Sequence, residues 1–405
     1  MNTFNIVNYD RKDSKRSNIE FLNENEAKKA FDFHKSFEVY SQTPLVQLSN
    51  LAKELGVKDI FVKDESYRFG LNAFKVLGGS YAMGRYIADR LNEDIANLPA
   101  NVMTSDAVKA KLGDVTFCTA TDGNHGRGVA WTAEQLKQKS VVYMPKGSAQ
   151  ERLDRIRAHG AEAEITEVNY DEAVRMADAK AKEVGGVIVQ DTAWEGYVDI
   201  PTWIMQGYMT LAYEITKQLD EMKEDRPTHI FLQAGVGSLA GAITGFFANY
   251  YGPNHPKVVI VEPNKANCIY KTAKARDGKL HFVTGDMDTI MAGLACGEPN
   301  YIGWNVLKDY ADAFISCPDF VAADGMRIMA APLNGDKQII SGESGAATLG
   351  AIANVLKNKE LATIKNDLKL DENSRLLFIS TEGDTDRENY VNTVWYGKDC
   401  HYCAE

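Results

Sequence analysis

Between residues 116 and 191 four short β-branched runs, TFCTA, SVVYMP, AEAEITE and VIVQD, alternate with three longer stretches, GRGVAWTAEQLKQ, AQERLDRIRAHG and DEAVRMADAKAKEVG. Apolar residues in the longer stretches recur at helical spacing. Strand and helix alternating at this pace predict a parallel sheet with crossover helices. A second block repeats the plan. A helix over about residues 201–219, opened by Pro201, leads to strand HIFLQ, a Gly-rich turn, another helix and strand KVVIVEP. Helix GAATLGAIANVLKN and strand RLLFIST follow, ending in the loop EGDTD. The expected fold class is therefore α/β, with two open parallel-sheet domains and an active-site cleft between them. Residues 1–78 and 196–405 would form the larger domain and 79–195 a smaller, mobile one. Ligands in such sheets bind beyond the carboxyl ends of the strands, where the glycine-rich turns lie.

Composition narrows the partners. The 405 residues are 44% hydrophobic and 25% charged, as a globular core requires, and carry a net charge of −11. A phosphate backbone demands clustered Lys and Arg, so neither nucleic acid nor an anionic membrane is expected. The N-terminal residues lack a signal-peptide core, and the longest uncharged stretch, 227–256, is broken by Gly, Asn, Gln and Pro. A cytoplasmic protein with reduced thiols is the expectation. Cys400 and Cys403 form a lone C-x-x-C at the C-terminus, which without a second pair reads as a tail. Spacing leaves open whether Cys268 and Cys296 pair. The seven histidines show no metal-ligand spacing, so no metal is expected.

Four segments carry candidate chemistry. In ESYRFGLNAFKVLGGSYA, Lys75 lies among apolar and glycine neighbours. Most lysines at a helix start are surface residues, but partial desolvation here would lower the amine's pKa and make it nucleophilic toward a carbonyl. In TATDGNHGRGVA, directly after strand TFCTA, Gly123, Gly126 and Gly128 would let backbone N–H groups approach an anion at a helix N-terminus. Asp122 and Asn124 project from the same turn, where Asp122 could equally be a helix cap. In QAGVGSLAGA, Gly235, Gly237 and Ala240 fit the loose dinucleotide fingerprint, with Glu262 as the ribose-gripping acid. The same loop can hold a single phosphate with the N–H groups of Val236, Gly237, Ser238 and Leu239. In ISTEGDTD, Thr381 would turn its hydroxyl into the cleft, or merely close a turn.

In this order the segments resemble the fold-type II pyridoxal-phosphate enzymes, the group of tryptophan synthase β, threonine deaminase and D-serine dehydratase. TDGNHGRGVAW, YMPKGSAQER, VQDTAWEGY with IPTWIMQGY, and ISTEGDTD are similar to the diaminopropionate ammonia-lyase family over residues 40–397. The resemblance implies a carbon–nitrogen lyase with pyridoxal 5'-phosphate, eliminating ammonia from D- and L-2,3-diaminopropionate to leave pyruvate and two ammonia molecules. Lys75 would form the Schiff base, Asn124 would bond the ring hydroxyl, and Gly235, Val236, Gly237, Ser238 and Leu239 would hold the phosphate. Thr381 would face the pyridine nitrogen, and Asp122 and Asp191 would be the two acidic groups. A homodimer acting on a small amino acid is implied. The competing readings are a serine/threonine-type dehydratase, an oxidoreductase using the Gly235 loop, and a non-catalytic binder.

Overall fold

The computed structural model describes residues 3–9, 16–121 and 123–400. Contacts divide the chain into two compact units. The larger comprises Met1–Glu24, Gln42–Ala73 and Leu211–Glu405, and the smaller Asn25–Ser41 and Phe74–Thr210. The sequence divisions at 78/79 and 195/196 fall a few residues away from these, and residues 25–41 add a helix, Glu24–Lys35, that periodicity had not assigned.

The sheet of the larger unit has seven strands, in the order Asn5–Asn8, Ala313–Cys317, Lys257–Pro263, His229–Gln233, Arg375–Ser380, Asp59–Asp64 and Leu45–Gln47. The five inner strands are parallel and almost entirely buried, as their apolar centres require. Phe231 and Phe378, paired on neighbouring strands, stack with ring centroids 5.1 Å apart. Both edges run antiparallel: Asn5 pairs with Ser316, and Leu45 with Lys63. This sheet is thus mixed at its rims, where short strands cap an otherwise parallel core.

The smaller unit holds a fully parallel sheet of four strands, ordered Glu162–Ile165, Lys139–Met144, Thr116–Ala120 and Val187–Ile188. The last strand has only two residues, so the chain leaves the sheet before Asp191. Helix Asn124–Gln135 starts just beyond strand Thr116–Ala120 and packs on helix Val76–Leu91. At that crossing a Cβ on Gly128 would lie 2.9 Å from Val76 Cα, so only glycine permits the approach. Lys75 is the residue immediately before helix Val76–Leu91. Among the described residues no helix is long and apolar enough to cross a membrane.

Candidate active site

Lys75 and Asp191 form the centre of the smaller unit's chemistry. Lys75 Nζ lies 2.8 Å from Asp191 Oδ2, with the lysine side chain 23% exposed and the aspartate's 8%. Burial pushes the Asp191 carboxyl up, but the Lys75 ammonium and then His125 outweigh it and hold it below the ordinary carboxylate value. Asp191 is therefore ionised at neutral pH. Its backbone is fixed from behind. Gln190 Oε1 accepts from Thr119 Oγ1 (2.9 Å), and Gln190 Nε2 donates to Ala120 O (3.1 Å). The Tyr197 hydroxyl accepts the Gln190 N–H (2.7 Å) and donates to Ile188 O (3.0 Å). His125 Nε2 bonds Val189 O at 2.8 Å, which makes that nitrogen the protonated one. Sequence reasoning passed over Gln190, Tyr197 and His125, because each acts through a bond formed only when the strands pair.

Asn124 is the first residue of its helix and is partly exposed. Asp122 lies outside the described residues. Two glycines of that turn are required by packing. A Cβ on Gly126 would run into Thr121 and Val142, and Gly128 faces Val76 as described above. Close by, the Tyr208 hydroxyl is buried with no hydrogen-bond partner among the described residues, and its ring lies 4.9 Å from that of Phe74. Burial raises its pKa strongly, so it stays a neutral phenol.

The larger unit supplies the glycine loop. Ala234 follows strand His229–Gln233, and Gly237 takes φ +95°, a conformation that favours glycine, directly before helix Ser238–Tyr251. The first backbone bond of this helix runs from Gly241 N–H to Gly237 O (2.8 Å), so the N–H groups of residues 238–240 precede it and form an anion-attracting end. A Cβ on Gly235 would lie 3.2 Å from Cys296 Sγ. Cys268, Cys296, Cys118 and Cys317 are free thiols, so Cys268 and Cys296 do not pair. Cys400 is disulfide-bonded, against the expectation of reduced thiols, and Cys403 lies outside the described residues. Asn300 braces the loop, donating from Nδ2 to Ser238 Oγ (2.7 Å) and from its backbone N–H to Val236 O (2.7 Å). Thr381 follows strand Arg375–Ser380, is 3% exposed, and accepts from Gln233 Nε2 at 3.0 Å.

Glu262, the acid required by the dinucleotide alternative, is fully buried. It accepts the N–H groups of Ile269 (2.9 Å) and Tyr270 (2.6 Å), at the start of helix Cys268–Ala275. Burial raises its pKa to about 8. A carboxyl committed to two backbone N–H groups cannot grip a ribose, and that alternative fails. Among the described residues no group of three or more His, Cys, Asp or Glu could hold a metal ion.

Each unit carries groups that suit part of a phosphorylated aldehyde. In the smaller unit a partly exposed lysine amine beside an ionised aspartate can take a carbonyl, and the buried Tyr208 hydroxyl is left for a ligand to satisfy. In the larger unit a glycine loop opens a long helix, and a Cβ on Gly235 would crowd Cys296. The family profile of pyridoxal-phosphate dependent enzymes matches residues 37–378, and the chain belongs to that family. It is 53% identical over 381 residues to the diaminopropionate ammonia-lyase of Salmonella typhimurium, covering 94% of each chain. Its fold superposes on the crystal structure of holo diaminopropionate ammonia lyase from Escherichia coli with a TM-score of 0.91, 47% identity and 98% of each chain covered. The E. coli enzyme in complex with D-serine matches equally, at TM-score 0.91, 47% identity and 98% of each chain.

Proposed function

We propose that this chain eliminates both amino groups of 2,3-diaminopropionate, so that one substrate and one water give pyruvate and two ammonia. The observation that carries the proposal is the 2.8 Å pair of Lys75 and Asp191, set in a chain 53% identical to a lyase of that name. Lys75 would hold pyridoxal phosphate covalently, Asn124 its ring hydroxyl, residues 235–239 its phosphate, and Thr381 its pyridine nitrogen. Bound there, the cofactor supplies an electron sink for the charge left at the substrate's Cα.

The chain's own residues supply the proton transfers. Lys75, as a neutral amine, takes the α-proton of one enantiomer. The other enantiomer presents its α-proton on the opposite face, and Asp122 is the residue we assign to it on sequence position. Asp191, ionised by its low pKa, attracts the substrate's β-ammonium and orients it for departure. A hydroxyl rather than a carboxylate at the ring nitrogen leaves that nitrogen uncharged, which suits elimination. The D-serine complex of the E. coli enzyme supports accommodation of a D-amino acid by the same site type. We further propose a cytoplasmic homodimer, which sedimentation checks.

The test is direct. Purified protein supplied with cofactor should release two ammonia per pyruvate from both D- and L-diaminopropionate. Turnover of serine or threonine with none of diaminopropionate would replace this reading with the dehydratase one.

A further inference from the structure

One buried polar side chain beside the glycine loop is not used by the mechanism above. Gln233 is 2% exposed and ends the strand leading to the glycine loop. Its Nε2 lies 2.9 Å from Ile379 O, 3.0 Å from Thr381 Oγ1 and 3.1 Å from Ser344 O. Its Oε1 is buried with no hydrogen-bond partner among the described residues. The amide has one sensible orientation, because the flipped form would set its oxygen against two carbonyls and a hydroxyl oxygen.

This arrangement fixes the direction of a proton. An amide nitrogen donates and cannot accept, so the Thr381 oxygen is the acceptor in its contact with Gln233 and its own proton points away from that amide. We propose that Gln233 is a positioning residue that makes Thr381 an obligate hydrogen-bond donor toward the cofactor's ring nitrogen. The inference rests on the assignment of Thr381 to that nitrogen. A donor there requires an unprotonated nitrogen, so Gln233 sets the ring's charge without touching it.

Two turns hold the geometry. Glu382 O accepts the Gly342 N–H (2.9 Å), and Ser380 Oγ donates to Ser341 Oγ (2.7 Å). A Cβ on Gly345 would lie 3.0 Å from Thr381 N, so the two turns are in close contact and Thr381 cannot drift from Gln233.

The experiment uses holoenzyme reconstituted with pyridoxal phosphate labelled with nitrogen-15 in the ring, read by NMR between pH 6 and 9 in wild type, Thr381→Val and Gln233→Met. Wild type should show an unprotonated-pyridine shift that does not titrate. Both variants should move that shift in the same direction, and Gln233→Met should weaken cofactor binding roughly tenfold, the worth of one hydrogen bond. A merely structural role for Gln233 would lower stability and leave the nitrogen shift where it was. A pyridinium shift in wild type overturns the inference even if Gln233→Met does not fold. A shift unmoved by Thr381→Val overturns the assignment of Thr381 itself. A shift moved by Thr381→Val and unmoved by Gln233→Met overturns the inference and leaves that assignment standing.

Discussion

Lys63 and Lys75 flank one short irregular segment, and each is bonded to a carboxylate. Around Lys63 the bonding is complete. Nζ meets Glu214 Oε2 at 2.6 Å, Gln218 Oε1 at 2.7 Å and Thr43 O at 2.8 Å, which uses all three ammonium donors. Arg68 joins from the same side, bonding both oxygens of Glu65 and both of Glu214 at 2.8 Å. Thr43, Lys63, Glu65, Arg68 and Glu214 are all fully buried. Two cations and two anions cancel there, and nothing is left to offer a ligand. Lys75 keeps 23% of its side chain exposed beside Asp191 and the buried Tyr208 hydroxyl. A saturated buried charge network holds a fold in register, whereas an accessible ion pair beside an unsatisfied polar group does chemistry.

The largest expected effect is at the open pair. Lys75→Ala should lose the cofactor's visible absorbance band and essentially all pyruvate formation, yet unfold thermally close to wild type. A chromophore surviving in that variant would break the comparison. Asp191→Asn should follow, lowering kcat/KM on both enantiomers by ~10–10²-fold, the worth of a hydrogen bond between charged groups. Asp122→Asn should instead lower the D-to-L ratio of kcat/KM, and an unchanged ratio would remove Asp122 from the mechanism.

At the closed cluster the effect should appear as stability. Lys63→Met leaves Glu214 under-compensated in the interior and should cost ~3–5 kcal/mol in urea titration, while protein that remains folded keeps its chromophore. The smallest effect is one of pH. Burial alone would push the Glu214 carboxyl up, but Arg68 and Lys63 hold it at about 2, below its ordinary 4.5. A depressed carboxylate stabilises the fold above its unfolded value and loses that contribution as pH falls through its folded one. The stability gap between wild type and Glu214→Gln should be full above about pH 4.5 and close toward about pH 2. A gap that stays constant over that range would mean the cluster is not held by charge.

How much of this was legible in the sequence depended on where each signal resides. The inner strands, such as HIFLQ and KVVIVEP, announced themselves because strands buried on both faces are continuous apolar runs. The edge strands Asn5–Asn8 and Leu45–Gln47 are too short to carry periodicity, and distant pairing, as of Asn5 with Ser316, selects them. Lys75 was legible from its apolar flanks. Lys63 was not recognisable as a closed ion pair, since its partners Glu214 and Gln218 come from a helix far along the chain. The G-N-H-G-R-G run was ambiguous in detail. A glycine that admits Val76 reads the same in sequence as one that admits a phosphate. Gln233 was read only as the end of a strand, because its amide acquires meaning from carbonyls at 344 and 379.

The central claim is that Lys75, and not the closed Lys63, carries the cofactor. Borohydride reduction of the yellow holoenzyme followed by proteolysis and peptide mapping tests it most directly. A stable phosphopyridoxyl label should appear on the peptide containing Lys75 and none on that containing Lys63. Label on Lys63 or on any other lysine, with Lys75 unmodified, would contradict it.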